Sequence, residues 1–416
     1  MGDQPEDHAA SSSGMTAAGL PSGGARVSPV DLKRMLVAHD RAANGGAETG
    51  ADIEGAISDD EPLAEDNKVL DRLDTHIAAQ SEAAEDREKF VAARDVLLRY
   101  SEPALKKLVA GNVDLSENER GALEAIIIVD GTRPSFLLCD GLPAMNDPTM
   151  GTWLDMVSAH RFKTQRIARA VGRIQPTPGS AAHYFGTGSL IDAAKGLVLT
   201  NYHVIADAKA RGVAMTMTDR TITVQGGLEI DFAGEACSLR KSRYKIVSID
   251  LPDGYGPGFG RIDAAIARIE AMPDSEPLPE AVPALSAFPA YADGGMTSFA
   301  TIGFPGPPPL QQGVVDGVDW GMIAGTLFRN IFGCKRLAPG TLGSPLGSRA
   351  DDVSKTAFGH NATTFGGASG SLLSAWADTD GPCFGLHFFG NTQIENNALA
   401  FAAVPDALEA VGVRFA

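Results

Sequence analysis

From Asn67 to about Tyr100 the apolar positions fall into helical spacing, with Val69, Leu73 and Ile77 on one stripe, then Phe90, Arg94 and Leu97. Ser116-Glu-Asn-Glu119 is a capping box, and it predicts a helix carrying Leu123, Ile126 and Ile127. RPSFLLCDG (133–141) is a short apolar run bounded by Pro and Gly, which predicts a strand. Trp153 to Ala170 returns to helical spacing with a basic face. After Gly172 the rhythm changes to short strands separated by turns: VGRIQ, GTGSLI, GLVLT, ITVQG, KIVSI, AAIARIE and TSFATIGF. That spacing favours a sandwich or barrel over alternating βαβ units, and the remaining length suffices for two small packed barrels.

Three parts follow from this pattern. Residues 1–66 are small and polar, then strongly acidic, and cannot bury enough apolar surface to offset chain entropy, so a disordered arm is expected. Residues 67–171 form a mainly helical module of unknown role, a candidate docking surface for a regulatory protein partner. Residues 172–416 form a mainly β domain.

Charge and composition narrow the function classes. The formal net charge of −17 argues against a nucleic-acid or anionic-membrane surface. No apolar run approaches bilayer length, and the start MGDQPEDHAASSSG has neither a basic nor an apolar signal region. The four cysteines, Cys139, Cys237, Cys334 and Cys383, are scattered without a CxxC pair, so free thiols in a reducing cytoplasm are expected in preference to disulfides. No HExxH or carboxylate cluster suggests a metal, and no cofactor is implied.

Chemistry concentrates in three stretches of the β half. GTGSLIDAAKGLVLTNYHVIADA (186–208) reads as strand, turn, strand, then His203 where the strand ends. RIDAAIARIE (261–270) places Asp263 at the head of a buried strand, where a carboxylate is unfavourable unless paired. TTFGGASGSLLS (363–374) surrounds Ser369 with glycines just before an apolar strand, and Gly367 and Gly370 relieve the steric limits on aiming backbone donors. Alone, each residue fits a structural role. Together, in the order His, Asp, Ser, they fit nucleophilic hydrolysis at a serine.

These blocks resemble the trypsin-like (chymotrypsin-fold) serine proteases of bacteria, over residues 172–416. LTNYHVIADA is similar to the histidine block, DAAIARIE to the aspartate block and TTFGGASGSLLS to the serine block; FATIGFPG (299–306) and CFGLHFFGNT (383–392) agree with two supporting strands. The resemblance implies two packed six-stranded antiparallel β-barrels. It implies Ser369 as nucleophile, His203 as general base then acid, Asp263 as the group orienting the imidazole, and the N–H groups of Gly367 and Ser369 as oxyanion hole. The partner implied is a protein or peptide substrate.

Ala368 departs from the pattern, since trypsin proper has there an aspartate that pairs with a newly cut N-terminus; activation by that switch is not expected. Tyr202 stands where many relatives have a small residue. Gly385-Leu386-His387, with Thr364 five residues before the serine, resembles the glutamyl-endopeptidase branch, and an imidazole plus a hydroxyl would hold a substrate carboxylate. Phe388 and Phe389 point instead to an apolar pocket. A Glu preference would make Glu48, Glu54, Glu61 and Glu65 of the arm self-cleavage sites. The alternative from another class is a catalytically silent trypsin-like fold serving as a binding module. GYGPGFG (254–260) lacks a following helix and Lys-Ser/Thr, so a loop is expected rather than a phosphate cradle, and His360 is expected to stabilise a loop.

Overall fold

The computed structural model describes Lys33, Leu36, Leu63 and residues 68–416, except 83–86, 130–133, 146, 148–149, 151–152, 239, 241, 274, 285, 290–297, 308–312, 328–330, 377–381, 392–394 and 416. The helical spacing becomes α1 (Val69–Glu82), α2 (Arg87–Val109) and α3 (Glu117–Val129). The capping box closes reciprocally: Glu119 N donates to Ser116 Oγ at 3.2 Å and Ser116 N to Glu119 Oε2 at 2.7 Å. Val69, Leu73, Ile77, Phe90, Leu97 and Leu123 bury into one cluster, while Arg94 pairs with Asp74 across α1 and α2. The side chains of Ile126 and Ile127 lie outside the described residues.

Leu36 and Leu63 are buried in the same cluster, so an arm disordered throughout 1–66 does not describe them. The four arm glutamates lie outside the described residues. The β-rich half also contributes Val318, Trp320, Ile323 and Phe365 to this cluster.

The next elements are β1 (Phe136–Cys139), β2 (Leu142–Pro143), α4 (Leu154–Ala159) and α5 (Arg161–Ala170). Their apolar faces, with Phe136, Leu138, Val157, Ile167 and Ala168, belong to the β core rather than to the helical cluster. The expected module 67–171 therefore divides. Its first part is a helical unit, and its last part caps the β body.

The first sheet comprises β3 (Val171–Pro176), β4 (Gly186–Asp192), β5 (Leu197–Thr200), β6 (Met215–Thr218), β7 (Thr221–Val224), β8 (Leu228–Asp231), β9 (Arg243–Asp250) and β10 (Ala265–Ala271), with α6 (Tyr202–Ala210) after β5. Its order is β10-β5-β4-β3-β8-β9-β7-β6, and β9 also pairs with β10, which closes six strands into a barrel.

The second sheet is built from β11 (Ser298–Gly303), β14 (Arg336–Thr341), β15 (Ala357–His360), β16 (Leu372–Ala375), β17 (Cys383–Asn391) and β18 (Glu395–Ala400). Between β11 and β14 the chain makes an excursion through the hairpin β12 (Val314–Val315) and β13 (Val318–Asp319) and helix α7 (Trp320–Leu327). The order is β15-β18-β17-β16-β11-β14-β1-β2, so β1 adds to this sheet through β14. A Leu342–His360 bridge brings its two flanks together, and Gly343 N–H donates to Gly359 O at 2.9 Å.

Cys139 and Cys237, 98 residues apart in sequence, are bonded, which corrects the expectation of four free thiols. Cys334 and Cys383 are free. The β1–β2 turn is drawn to the loop after β8, where Gly141 N–H donates to Glu235 Oε1 at 3.1 Å, and no sequence spacing signals that approach. Lys335 is fully buried between the same elements. Its ammonium donates to Ala168 O at 2.7 Å and Phe232 O at 2.8 Å, and burial pulls its pKa down to about 8 against the pull of Glu235.

Candidate active site

The register of β5 against β10 sets the first two candidate residues side by side. Ala265 pairs with Thr200, so Asp263, two residues before β10, meets the start of α6, where His203 sits in the first turn. Asp263 is 1% exposed. One carboxylate oxygen accepts the His203 backbone N–H at 3.0 Å, and the other lies 2.7 Å from His203 Nδ1. The Asn201 amide fixes the backbone by donating to Asp263 O at 2.7 Å. The cost of burying a carboxylate is thus offset by two directed hydrogen bonds. The Nδ1 face of the ring is turned to Asp263, which leaves the Nε2 face directed away from it, and the side chain is 32% exposed.

Ser369 arrives from the second sheet. Its carbonyl accepts the Thr187 N–H at 2.8 Å, while Thr200 Oγ1 donates to Thr187 O at 2.7 Å, so the serine loop is tied to β4 and to the end of β5 just before His203. Gly370 makes this approach feasible. Its φ is +91°, and a Cβ there would lie 1.9 Å from Thr187 O. The Ser369 hydroxyl makes no hydrogen bond among the described residues. Asp263 and His203 are therefore in direct contact, with the Ser369 backbone seated against the strand beside them and no serine–histidine hydrogen bond among the described residues.

Gly367 also has a left-handed backbone, φ +93°, and a Cβ there would meet the Tyr184 ring at 2.5 Å and Phe304 O at 2.7 Å. The loop's carbonyls are occupied: Gly366 O accepts Gly306 N–H at 2.6 Å and Gly367 O accepts Thr187 Oγ1–H at 2.8 Å. The N–H groups of Gly367 and Ser369 make no hydrogen bond among the described residues, which leaves two donors available to a developing anion.

The candidate specificity residues flank this loop. Thr364 is 3% exposed, and its buried hydroxyl has no partner among the described residues. His387 holds the loop through two backbone bonds, Gly370 N to His387 O and His387 N to Ser371 O, both 2.9 Å. Its ring is buried and lies 3.1 Å from His360 Nε2 through Nδ1. Burial, then the charge of His203, pushes the His387 pKa down to about 3 against a hydrogen bond to the Asn397 backbone, so the imidazole is neutral.

Phe388 does not share that face. A bulge between His387 and Phe389 redirects the strand, and Phe388 and Phe389 both stack on Phe259 at 5.3 and 5.5 Å, with the Arg349 guanidinium 4.3 Å over the same ring. Phe259 belongs to GYGPGFG, whose Tyr255 stacks on Tyr202 at 5.0 Å. That segment is a loop, as expected, and its work is aromatic packing beside His203 and His387. Sequence reasoning missed His360 as a neighbour of His387. Its only signal is a histidine on the strand before the serine loop, and β15 meets β17 only across β18.

No family model matches the chain. A probable serine protease of Lysobacter enzymogenes is 48% identical over 386 residues, covering 92% of this chain and 98% of its own. A solved structure of neuropsin, a serine protease expressed in the limbic system of mouse brain, overlaps 58% of this chain and 94% of its own with 10% identity and a TM-score of 0.39. The match to the Lysobacter protein runs well beyond the β-rich half, so the helical unit is a shared part. The chain belongs to that family of serine proteases, hydrolases of the peptide bond.

Proposed function

We propose that the chain is a serine endopeptidase that cleaves through an acyl-enzyme, with Ser369 as nucleophile, His203 as general base then acid, and Asp263 orienting the imidazole. The observation that carries this is the buried Asp263 carboxylate 2.7 Å from His203 Nδ1, on a register that also brings the serine loop to Thr187. Asp263 holds the tautomer whose Nε2 accepts the Ser369 proton as Oγ attacks the peptide carbonyl. The N–H groups of Gly367 and Ser369 receive the oxyanion, and His203 then gives the proton to the leaving amine. Water, activated by the same imidazole, releases the acyl group. The closed first barrel and the bridged flanks of the second sheet support a two-barrel, chymotrypsin-like architecture.

The Thr364 hydroxyl and the His387 imidazole support a Glu preference before the cut. Both are buried at the serine loop; the Thr364 hydroxyl has no partner among the described residues, and a substrate carboxylate would satisfy it. Phe388 meets Phe259 edge-on at 5.3 Å, and an apolar wall formed by that pair is the competing reading of the pocket. The Cys139–Cys237 bond supports residence in an oxidising compartment rather than the cytoplasm.

A fluorophosphonate probe tests the chemistry: covalent labelling of the native protein, lost in Ser369→Ala, is the expected result. A native protein that resists the probe would instead favour the silent binding module. Peptides differing only before the cut test the preference, which fails if Phe or Leu outruns Glu.

A further inference from the structure

Phe365 packs away from its neighbours. Ala362, three residues earlier, lies in the β core, whereas Phe365, 7% exposed, is buried in the helical cluster. Trp320 and Ile323, of the excursion between β11 and β14, belong to the same cluster. That excursion is gripped by α3: Trp320 Nε1 donates to Asn118 Oδ1 at 3.0 Å, and Asn118 Nδ2 donates to Val315 O at 3.2 Å, with both side chains buried. The base of the same excursion holds the next residue of the serine loop through the Gly306–Gly366 bond of 2.6 Å, and is itself closed by Gly333 N–H donating to Pro305 O at 2.9 Å.

We propose that the helical unit positions the serine loop, with Phe365 as its positioning residue. It fixes the backbone that presents the Gly367 N–H to the oxyanion. The inference rests on Ser369 being the nucleophile. The loop carries glycines at 366, 367 and 370, and within it Ala368 N–H donates to Phe365 O at 2.9 Å, so the placement of Phe365 is passed to the residues around Gly367. Thr187 and His387 anchor its later part. Ahead of Gly367 two anchors are the Gly366 carbonyl bond to Gly306 and the burial of the Phe365 ring, and both lead to the excursion that the helical unit clamps. Ala368 offers only a methyl group, so no carboxylate within the loop performs this task. The face of the helical unit that takes Phe365 is covered by its own chain, and its role there is internal support.

The test uses the full chain with Phe365→Ala, Phe365→Leu and Leu97→Ala, the last in α2 of the helical cluster. Fluorophosphonate labelling is followed as kinact against KI, beside affinity for a peptide boronate that mimics the tetrahedral adduct. Losing one oxyanion donor costs about 10²–10³-fold in hydrolases. Phe365→Ala is therefore expected to lower kinact by about 10–100-fold with KI within about threefold, and boronate affinity in parallel. Phe365→Leu should recover most of the loss, and Leu97→Ala should show a smaller drop with the same split.

Wild-type kinact and boronate affinity in both alanine variants, with only a lower melting temperature, would overturn the proposal and leave Phe365 as a core residue. If Phe365→Ala does not fold, the Leu97→Ala result decides alone. Ser369→Ala is run alongside: retained labelling there would remove the nucleophile assignment, and that failure is read independently of the Phe365 series.

Discussion

Acid should unfold this protein through His387. Its imidazole is 2% exposed, and its burial, with the charge of His203, takes its pKa from 6.5 to about 3. Between those values the unfolded chain binds a proton that the native state refuses, so stability is fully present above about pH 6.5 and is lost as the pH falls toward 3. At about 1.4 kcal/mol per unit the loss reaches about 3 kcal/mol near pH 4.5 and about 5 kcal/mol near pH 3. That is a large share of the 5–15 kcal/mol that folded domains hold. His387→Gln keeps a polar group facing His360 and removes the proton. Urea unfolding near pH 7.5, 5.5 and 4.5 should show the wild type losing about 3 kcal/mol more than the variant across that range. Parallel losses in the two proteins would refute a buried neutral imidazole at this position.

Three further outcomes follow. Asp263→Asn keeps the shape but presents an amide N–H to Nδ1, which reverses the tautomer; turnover should fall by about 10⁴-fold with KM little changed, and a fall below tenfold would remove Asp263 as the orienting group. Gly370→Ala forces a methyl to within 1.9 Å of Thr187 O at a φ of +91°, so thermal melts should show at least about 2 kcal/mol of destabilisation together with lost labelling. Thiol titration of denatured protein should find only Cys334 and Cys383 until a reductant is added, and then all four cysteines; chain entropy for a 98-residue separation sets the stability lost on reduction at about 4–5 kcal/mol.

What could be read from the sequence was local or repeated in register. The strand blocks carry their own turn signals, and the Ser116–Glu119 box marks its helix within four residues. His203 and Asp263 were legible because β5 and β10 are partners, so two short motifs report on one contact. The features that escaped depend on long-range packing. Cys139 meets Cys237 only because β1 joins the second sheet through β14. The helical spacing of 154–170 is real, yet periodicity does not say which core an apolar face enters, and here it enters the β body. Leu63 sits in the acidic run DDEPLAED and Leu36 in the short apolar run RMLV, and the overall composition of residues 1–66 hides both anchors.

Those two anchors give the proposed support of the serine loop a measurable sign. An ion pair between a loop carboxylate and a new N-terminus, as in trypsin, switches a protease on when the chain is cut. Ala368 offers no carboxylate for such a pair, and the Phe365 contact proposed above holds no titratable group; burying a phenyl ring contributes about 2–3 kcal/mol. Leu36 and Leu63 lie in the same cluster as Phe365, so cutting the chain ahead of Asn67 takes two buried side chains away from the loop's support. Truncation to Asn67 should therefore lower kinact rather than raise it, with KI nearly constant. Labelling kinetics on the truncated chain give the sign directly. A gain on truncation would mean that the arm restrains the loop, which would reverse the role assigned to the helical cluster.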